Sequence, residues 1–507
     1  MKGDFSRVTF DARKHYSRVL MQQGRVTVDA DPNEQADILL HYLRTLAADV
    51  IGPYAAPIVD GGFQLSADEN GKLVIGKGRY YVDGILVEND EDCLYSDQPA
   101  YTADGETDDL LVKEMTEPTG KTFWVYLDVW ERHVTWLDDP GIRELALGGP
   151  DTCTRSKVVW RVRAVESAAA VSSANEALTA KIAKQKKLVA ALEAKLKAET
   201  NKKNADKLKK QLTQAKAALA KLEAAADGAT APAEKDCGKP LEDLVALGPC
   251  AMTARIEPGV VSEDPCVLSP EAAYRGAENH LYRVEIHAAG KAGTATFKWS
   301  RDNGSVVAAW TATSGNDLIV SSGIGFEEGC WVELLDEQTE LLGQKGVLVQ
   351  LAKVEGATLT VDPTTVPSAD ALAQPELKVN ARVRRWDQAE SGDVTLSDGA
   401  VPITETDGTT EAWIDLEDGI QVQFEPNGEY RTGDYWLIPA RVALGPEGGI
   451  SWPVDGEAPA PIEPHGVVHH YAPLGFVSWK GKQLAFDTCR CTFVPGSSCF
   501  TPPKDDG

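Results

Sequence analysis

The segment TFWVYLDVWERHVTWL, residues 122–137, constrains the fold more than any other stretch, because it is dominated by β-branched and aromatic side chains. Such side chains are stiff and crowded in a helix and fit a pleated surface. The earlier segment GKLVIGKGRYYVDGILVEND, residues 71–90, alternates apolar with polar residues and turns on glycines, the pattern of an antiparallel meander. The β signal returns downstream. TATFKWSRDNGSVVAAW at 294–310 places Asn303-Gly304 between two runs of strand formers, which predicts a hairpin with a type I′ turn. Residues 315–390 read as short strands of a small barrel or sandwich. AWIDLEDGIQVQF and GEYRTGDYWLIPARV add at least two more strands, and the tail from Phe493 reads as irregular.

Two stretches break this pattern. In QQGRVTVDADPNEQADILLHYLRTLAADVIGP, residues 22–53, Asp31 is the expected N-cap, Pro32 the first helical residue and Glu34 the far end of a capping box. Ile38, Leu39, Tyr42, Leu43, Leu46 and Val50 recur at helical spacing as one apolar face, and Gly52-Pro53 ends the helix. Asp29, Asp31 and Asn33 also alternate like the start of a calcium loop. An EF-hand needs Gly and Glu where this chain has Glu34 and Leu40, so the helix cap is preferred. The second stretch, residues 175–224, is rich in Ala, Lys and Leu. Leu178, Ile182, Val189, Leu192 and Leu196, with Gln185 as polar exception, form one heptad series; Leu208, Leu212, Ala215, Leu219 and Leu222 form another. Two arms of an antiparallel coiled-coil hairpin are expected, a finger of roughly 28 Å. It carries thirteen lysines and five acids, a net +8, which leaves −34 for the rest of the chain.

The expected fold is therefore mainly β and multi-domain, with sandwich- or barrel-like modules, an N-terminal α-helix and an inserted helical hairpin. The division read from the sequence is an attachment arm and helix at 1–53 and a β domain at 54–168 that resumes at 236–312. The hairpin insertion with its linker lies at 169–235, a small barrel or sandwich at 313–390, and a C-terminal β region with its tail at 391–507.

A net charge of −26 argues against nucleic acid as the main partner, since phosphate binding needs a basic surface. No apolar run reaches the length of a membrane span, and the opening MKGDFSRVTFDARKHYSRV lacks an apolar signal-peptide core. Synthesis in the cytoplasm without a signal peptide is expected, and with it reduced thiols. There are nine cysteines, and neither Cys237, Cys250 and Cys266 nor Cys489, Cys491 and Cys499 has zinc-finger spacing. A disulfide in the terminal group, formed on release into an oxidising medium, is the alternative.

Catalytic motifs are missing: GxSxG, Walker A, HExxH and the kinase signature do not occur. GIGFEEG at 323–329 has its third glycine one place too late for a dinucleotide loop, so no cofactor is expected. His465, His469 and His470 in EPHGVVHHYAPL could supply metal nitrogens, but a metal site would want a further carboxylate or thiol, and a polar turn beside a strand is the preferred reading. Arg283, Arg384 and Arg385 lie beside acids and aromatics, which suits ion pairs and cation–π contacts bracing β layers.

The opening MKGDFSRVTFDARKHYSRVLMQQGRVTVDADPNEQADI resembles an uncharacterised domain family met in phage-tail-like contractile injection gene clusters. The resemblance continues through YLDVWERHVTWLDDPGIRELALGGPDTCTRSKVVW, YRGAENHLYRVEIHAAGKAGTATFKWSRDNGSVV, RRWDQ, GDYWLIPAR and HGVVHHYAPL, leaving out the Lys-rich insertion. RVLMQQGRVTVDADPNEQ is also similar to the opening of some phage tail-fibre and baseplate proteins, where it looks like an attachment region. The chain departs from the family in carrying DTCRCTFVP where an Arg-rich stretch is usual. The resemblance implies no activity. It implies a non-enzymatic structural component of a contractile injection particle, of baseplate, fibre or tail-accessory type, assembled into the particle with release from the cell as a further step. Its partners would be other particle subunits, and a homo-oligomer is compatible with this. The interaction residues implied are Arg25, Asp29, Asp31, Asn33 and Glu34. The rival expectations are a carbohydrate- or surface-binding module, for which twelve tryptophans offer stacking platforms, and a particle-associated hydrolase or effector.

Overall fold

The computed structural model describes residues 1–99, 121–147, 151–166, 250–258, 274–372, 378–392, 394–406, 411–442, 449–456, 458–480 and 483–494, together with nine scattered positions, Cys237 among them. The chain is mainly β: these residues form 27 strands in several sheets, with two α-helices. The expected coiled-coil hairpin at 169–235, Cys266, Cys499 and most of the C-terminal tail lie almost wholly outside the described residues.

The run that dominates the sequence becomes the strand Phe123–Val134, paired in register over twelve residues with Arg155–Glu166. Its other edge pairs with His470–Lys480, which pairs in turn with Gln483–Thr488. One sheet thus joins segments more than three hundred residues apart in the chain. Its inner face carries Phe123, Val125, Leu127, Val129 and Trp160, which pack with Phe63 and with Tyr80 and Val87 of the glycine-punctuated meander. Thr492–Phe493 adds a parallel edge strand beside Tyr54–Pro57. Cys489, just after this sheet's last strand, is bonded to Cys237, and the pair packs on Trp124, Tyr126 and Phe476. The expectation of reduced thiols is corrected here for these two residues: the fold brings together cysteines 252 positions apart, one from each group. Cys491 is free and exposed.

Six strands between Val307 and Trp386 close into a barrel around Val332, Leu334, Val349, Leu351, Leu359 and Val383. A five-stranded sheet centred on His280–Ala288 packs Tyr282, Val284, Ile286, Phe297 and Trp436 against Met252 and Phe424 of a three-stranded sheet. The Asn303-Gly304 hairpin is not formed. Both residues take the positive φ of the expected turn, 52° and 64°. The flanking strands do not pair with each other: Thr296–Ser300 belongs to the five-stranded sheet and Val307–Ser314 to the barrel. The turn is a crossover between two bodies because Asn303 is buried and committed elsewhere. Its side-chain amide donates to the carbonyls of Met1 (3.1 Å) and Gly3 (2.9 Å).

The first helix, α1, spans Ala30–Ile51 and ends at Gly52 as expected, with φ 94°. Its start differs from the capping-box reading. Asp29 occupies the N-cap without a side-chain cap bond, Asp31 is already helical and Pro32 is in the first turn. The arm engages Glu34, expected to close the capping box, and Asp29, which stands at the cap: Ser6 N–H donates to Asp29 (2.9 Å) and the Thr9 hydroxyl to Glu34 (2.6 Å). The apolar face also points the other way. Ile38 is buried, but Leu39, Tyr42, Leu43, Leu46 and Val50 are 53%, 52%, 62%, 61% and 75% exposed. The side of the helix that rests on the body mixes the buried Ala30 and Ile38 with half-buried polar groups, among them Arg44, paired to Glu131 at 3.0 Å. It approaches the Asp83-Gly84 turn so closely that a Cβ on Gly84 would lie 2.0 Å from the Arg44 carbonyl oxygen.

The Cys237–Cys489 bond closes a very long loop, so its loss is expected to cost about 2–4 kcal/mol. Equilibrium denaturation should show that decrement for Cys489→Ser, and adding a reductant should lower the wild type to the variant's value while leaving the variant unchanged.

Candidate functional site

The strand His280–Ala288 alternates strictly. Tyr282, Val284 and Ile286 face an apolar core, whereas Arg283, Glu285 and His287 face the barrel, and all six are buried. Lys298 comes from the neighbouring strand Thr296–Ser300, and Glu333 from the outer face of the barrel strand Trp331–Leu335. The Lys298 ammonium lies 2.5 Å from Glu333 and 3.4 Å from Glu285. Glu285 also receives Arg283 (2.6 Å) and Lys2 (3.0 Å). Trp386 forms the floor, its ring 4.5 Å from the Lys298 ammonium and its indole N–H donating to Glu333 at 2.9 Å. Arg283 stacks on Tyr435, with 3.5 Å from guanidinium carbon to ring centroid.

A second set of ions adjoins the first. Arg382 and Arg384 share the outward side of their barrel strand with Trp386. Arg382 pairs with Asp138 (2.7 Å) and Glu340 (3.3 Å), and Arg384 with Glu340 (3.5 Å). Arg132, at the end of the long strand Phe123–Val134, reaches Asp138 (2.6 Å) and Glu337. Five-stranded sheet, barrel and long-stranded sheet therefore meet largely at ion pairs, beside a small apolar contact of Leu348, Trp386 and Ala400. A cavity of about 440 Å³ opens among them, bordered by Lys2, Arg132, His133, Arg283, Arg384 and Tyr435.

Proton states follow from this packing. Burial raises the Glu333 carboxyl, but Lys298, with His287 and Lys2 behind it, overcomes burial and brings its pKa to about 2. Burial likewise opposes ionisation of Glu285, and Lys2, Arg283 and Lys298 together hold it well below the usual range. Burial, helped by the nearby cations Arg384 for His133 and Lys298 for His287, outweighs the neighbouring carboxylates, and the pKa values of the two histidines fall to about 3 and about 4. Both glutamates are therefore ionised and both histidines neutral at neutral pH. A glycosidase-type acid needs a raised pKa, which neither glutamate has. In an adjacent cavity of about 520 Å³, burial raises Asp434 to about 6 against the pull of Arg431.

The residues singled out from sequence separate in space. His469 bonds Asp128 (2.6 Å), His470 bonds Asp83 (2.8 Å), and the His465 backbone pairs with Tyr435. Among the described residues no group of three or more His, Cys, Asp or Glu side chains is arranged to hold a metal ion. Arg283, Arg384 and Arg385 do brace β layers, Arg385 through Asp302 (2.5 Å) and Asp387 (3.1 Å). In the arm and helix, Asp29 and Glu34 hold the arm; Arg25 and Asn33 are exposed and Asp31 is half-buried. Lys298 and Glu333 escaped the sequence reading. Their signal was a charge inside an apolar strand run, FKW at 297–299 and VEL at 332–334.

Lys298→Met should remove about 3–5 kcal/mol of stability, because Glu333 and Glu285 would stay buried without their shared counter-ion. Urea denaturation checks this. Stability should also fall in acid in two stages. His133 and His287 titrate lower folded than unfolded, so unfolding takes up protons below pH 6.5 and stability declines from there towards their folded values of about 3 and about 4. Glu333 adds a loss between its ordinary 4.5 and about 2, while Asp434, raised to about 6, opposes the trend between there and its ordinary 3.8. Denaturation midpoints at pH 7, 5 and 3 should decrease in that order.

A search among curated proteins and among solved structures returns no match. The family comparison does match, over residues 1–501, and that span takes in the arm, α1, both ionic sets and the barrel. This chain belongs to a family of unknown function, DUF6519.

Proposed function

We propose that this chain is a non-enzymatic structural subunit of a phage-tail-like contractile injection particle, docking through its N-terminal arm and α1. The observation that carries the reading is the outer face of α1, where five large apolar side chains are each more than half exposed. A water-facing helix normally shows polar residues there, and contiguous apolar patches mark interaction sites. Burial of each would contribute about 1–2 kcal/mol. The resemblance of residues 18–35 to the opening of some tail-fibre and baseplate proteins supports the choice of partner. The ion pairs support a structural role, since each charged group in them is occupied by another.

The carbohydrate-binding alternative is less well supported. Seven of the twelve tryptophans are buried and none is among the exposed large side chains; Trp136 and Trp413 lie under Arg143 and Arg255. A particle-borne hydrolase remains the second reading, favoured by the raised carboxyl of Asp434 in its cleft. Among the described residues no helix is long and apolar enough to cross a membrane.

The test is sedimentation of the native lysate with negative-stain imaging of the heavy fraction. The wild type should co-sediment with tubular particles. A Leu39→Ser, Leu43→Ser, Leu46→Ser variant should remain in the supernatant with its stability nearly unchanged, because the three side chains are exposed. Equal incorporation of that variant, or wild type that never sediments with particles, would count against the reading.

A further inference from the structure

The proposal of an assembling subunit leaves open what covers α1. Ala36, Leu39, Leu43, Leu46 and Val50 are all exposed, and their spacing is three, four, three and four residues. That is the a/d seam of a coiled coil, which is completed by another helix carrying the same repeat. We infer that the occupant is α1 of a second copy of this chain, laid seam to seam. This inference rests on the docking role assigned to α1 above.

Three observations favour a second copy over another partner. The first is charge. The exposed positions of α1 between residues 32 and 50 are Pro, Asn, Ala, Leu, Leu, His, Tyr, Leu, Thr, Leu, Asp and Val, so only Asp49 is formally charged. Its other ionised residues, Asp31, Glu34, Asp37 and Arg44, are half-buried on the body side. Residues 1–53 carry seven basic and seven acidic side chains, so the whole −26 lies in the remainder. Two such chains repel each other except across a neutral face, and the outer side of α1 is one. A basic partner would be drawn to the acidic body instead.

The second observation is size. At 1.5 Å per residue the 22-residue helix is about 33 Å long. The arm is tied along it by Ser6, Thr9 and the Val19 N–H, which donates to Gln35 at 2.9 Å. The arm adds Val8, Tyr16, Leu20, Met21 and Val26, each more than half exposed. Ten such side chains offer roughly 60–100 Å² each, hence on the order of 600–1,000 Å². A stable interface buries about 800 Å² per partner. The third is self-complementarity. A helix face that is its own best match closes around a symmetry axis and leaves no seam uncovered.

Sedimentation equilibrium of the intact chain at micromolar concentration tests this directly. The expected result is a mass at least twice the 54.6 kDa chain, without a covalent dimer on a non-reducing gel. Leu43→Glu with Leu46→Glu should return the mass to one chain while the thermal unfolding midpoint stays within a few degrees of wild type. A wild type that sediments as a single chain, or a double variant that keeps the wild-type mass, overturns the inference. The two readings separate cleanly. A monomeric wild type that still enters particles removes the second copy and leaves the structural role, whereas a self-associating chain that never enters particles does the reverse.

Discussion

Lys298 holds the molecule together at its least forgiving point. Its ammonium is 3% exposed, with a carboxylate from the barrel on one side and one from the five-stranded sheet on the other. Each ion costs several kcal/mol to remove from water, and only close, mutually satisfied pairing offsets that cost. The geometry of two β bodies is thereby fixed to within the tolerance of a hydrogen bond. An apolar seam would tolerate sliding; a network in which ions such as Lys298 and Arg382 each serve two partners does not. Asp138 and Arg382 extend the same constraint to the long-stranded sheet.

The N-terminal residues join this network rather than hanging from it. Lys2 pairs with Glu285, and Asn303 binds the carbonyls of Met1 and Gly3. One end of the arm is therefore anchored in the ionic centre while its remainder runs out to α1. The arm thus has its root in the ionic centre, and beyond it lies a helix whose large apolar side chains are turned away from the core. Asp29 and Glu34 contribute by tying arm to helix within the chain.

How far the sequence could be read depended on whether a signal was local. The strand at 123–134 and the end of α1 at Gly52 were legible because side-chain shape and glycine's conformational freedom act over a few residues. The Asn303-Gly304 turn shows the limit. The local φ angles were right, yet the strands on either side join different sheets, since pairing is chosen by distant partners. The helix start shows it again: Asp31 has the chemistry of a cap, but the arm engages Asp29 and Glu34, and the helix begins two residues earlier.

The sequence alone determined that the chain is mainly β, that it opens with one helix having an apolar face, and that its arginines beside acids would brace layers. Those properties follow from side-chain shape, periodicity and the near-certainty that a charge among apolar neighbours is paired. Only the tertiary structure decided which way the helix faces, which cysteines meet across 252 residues, and that Lys298 and Glu333 share a site. Each of those depends on segments remote in sequence being brought within a few ångströms, and periodicity within one segment holds no information about its partner in another.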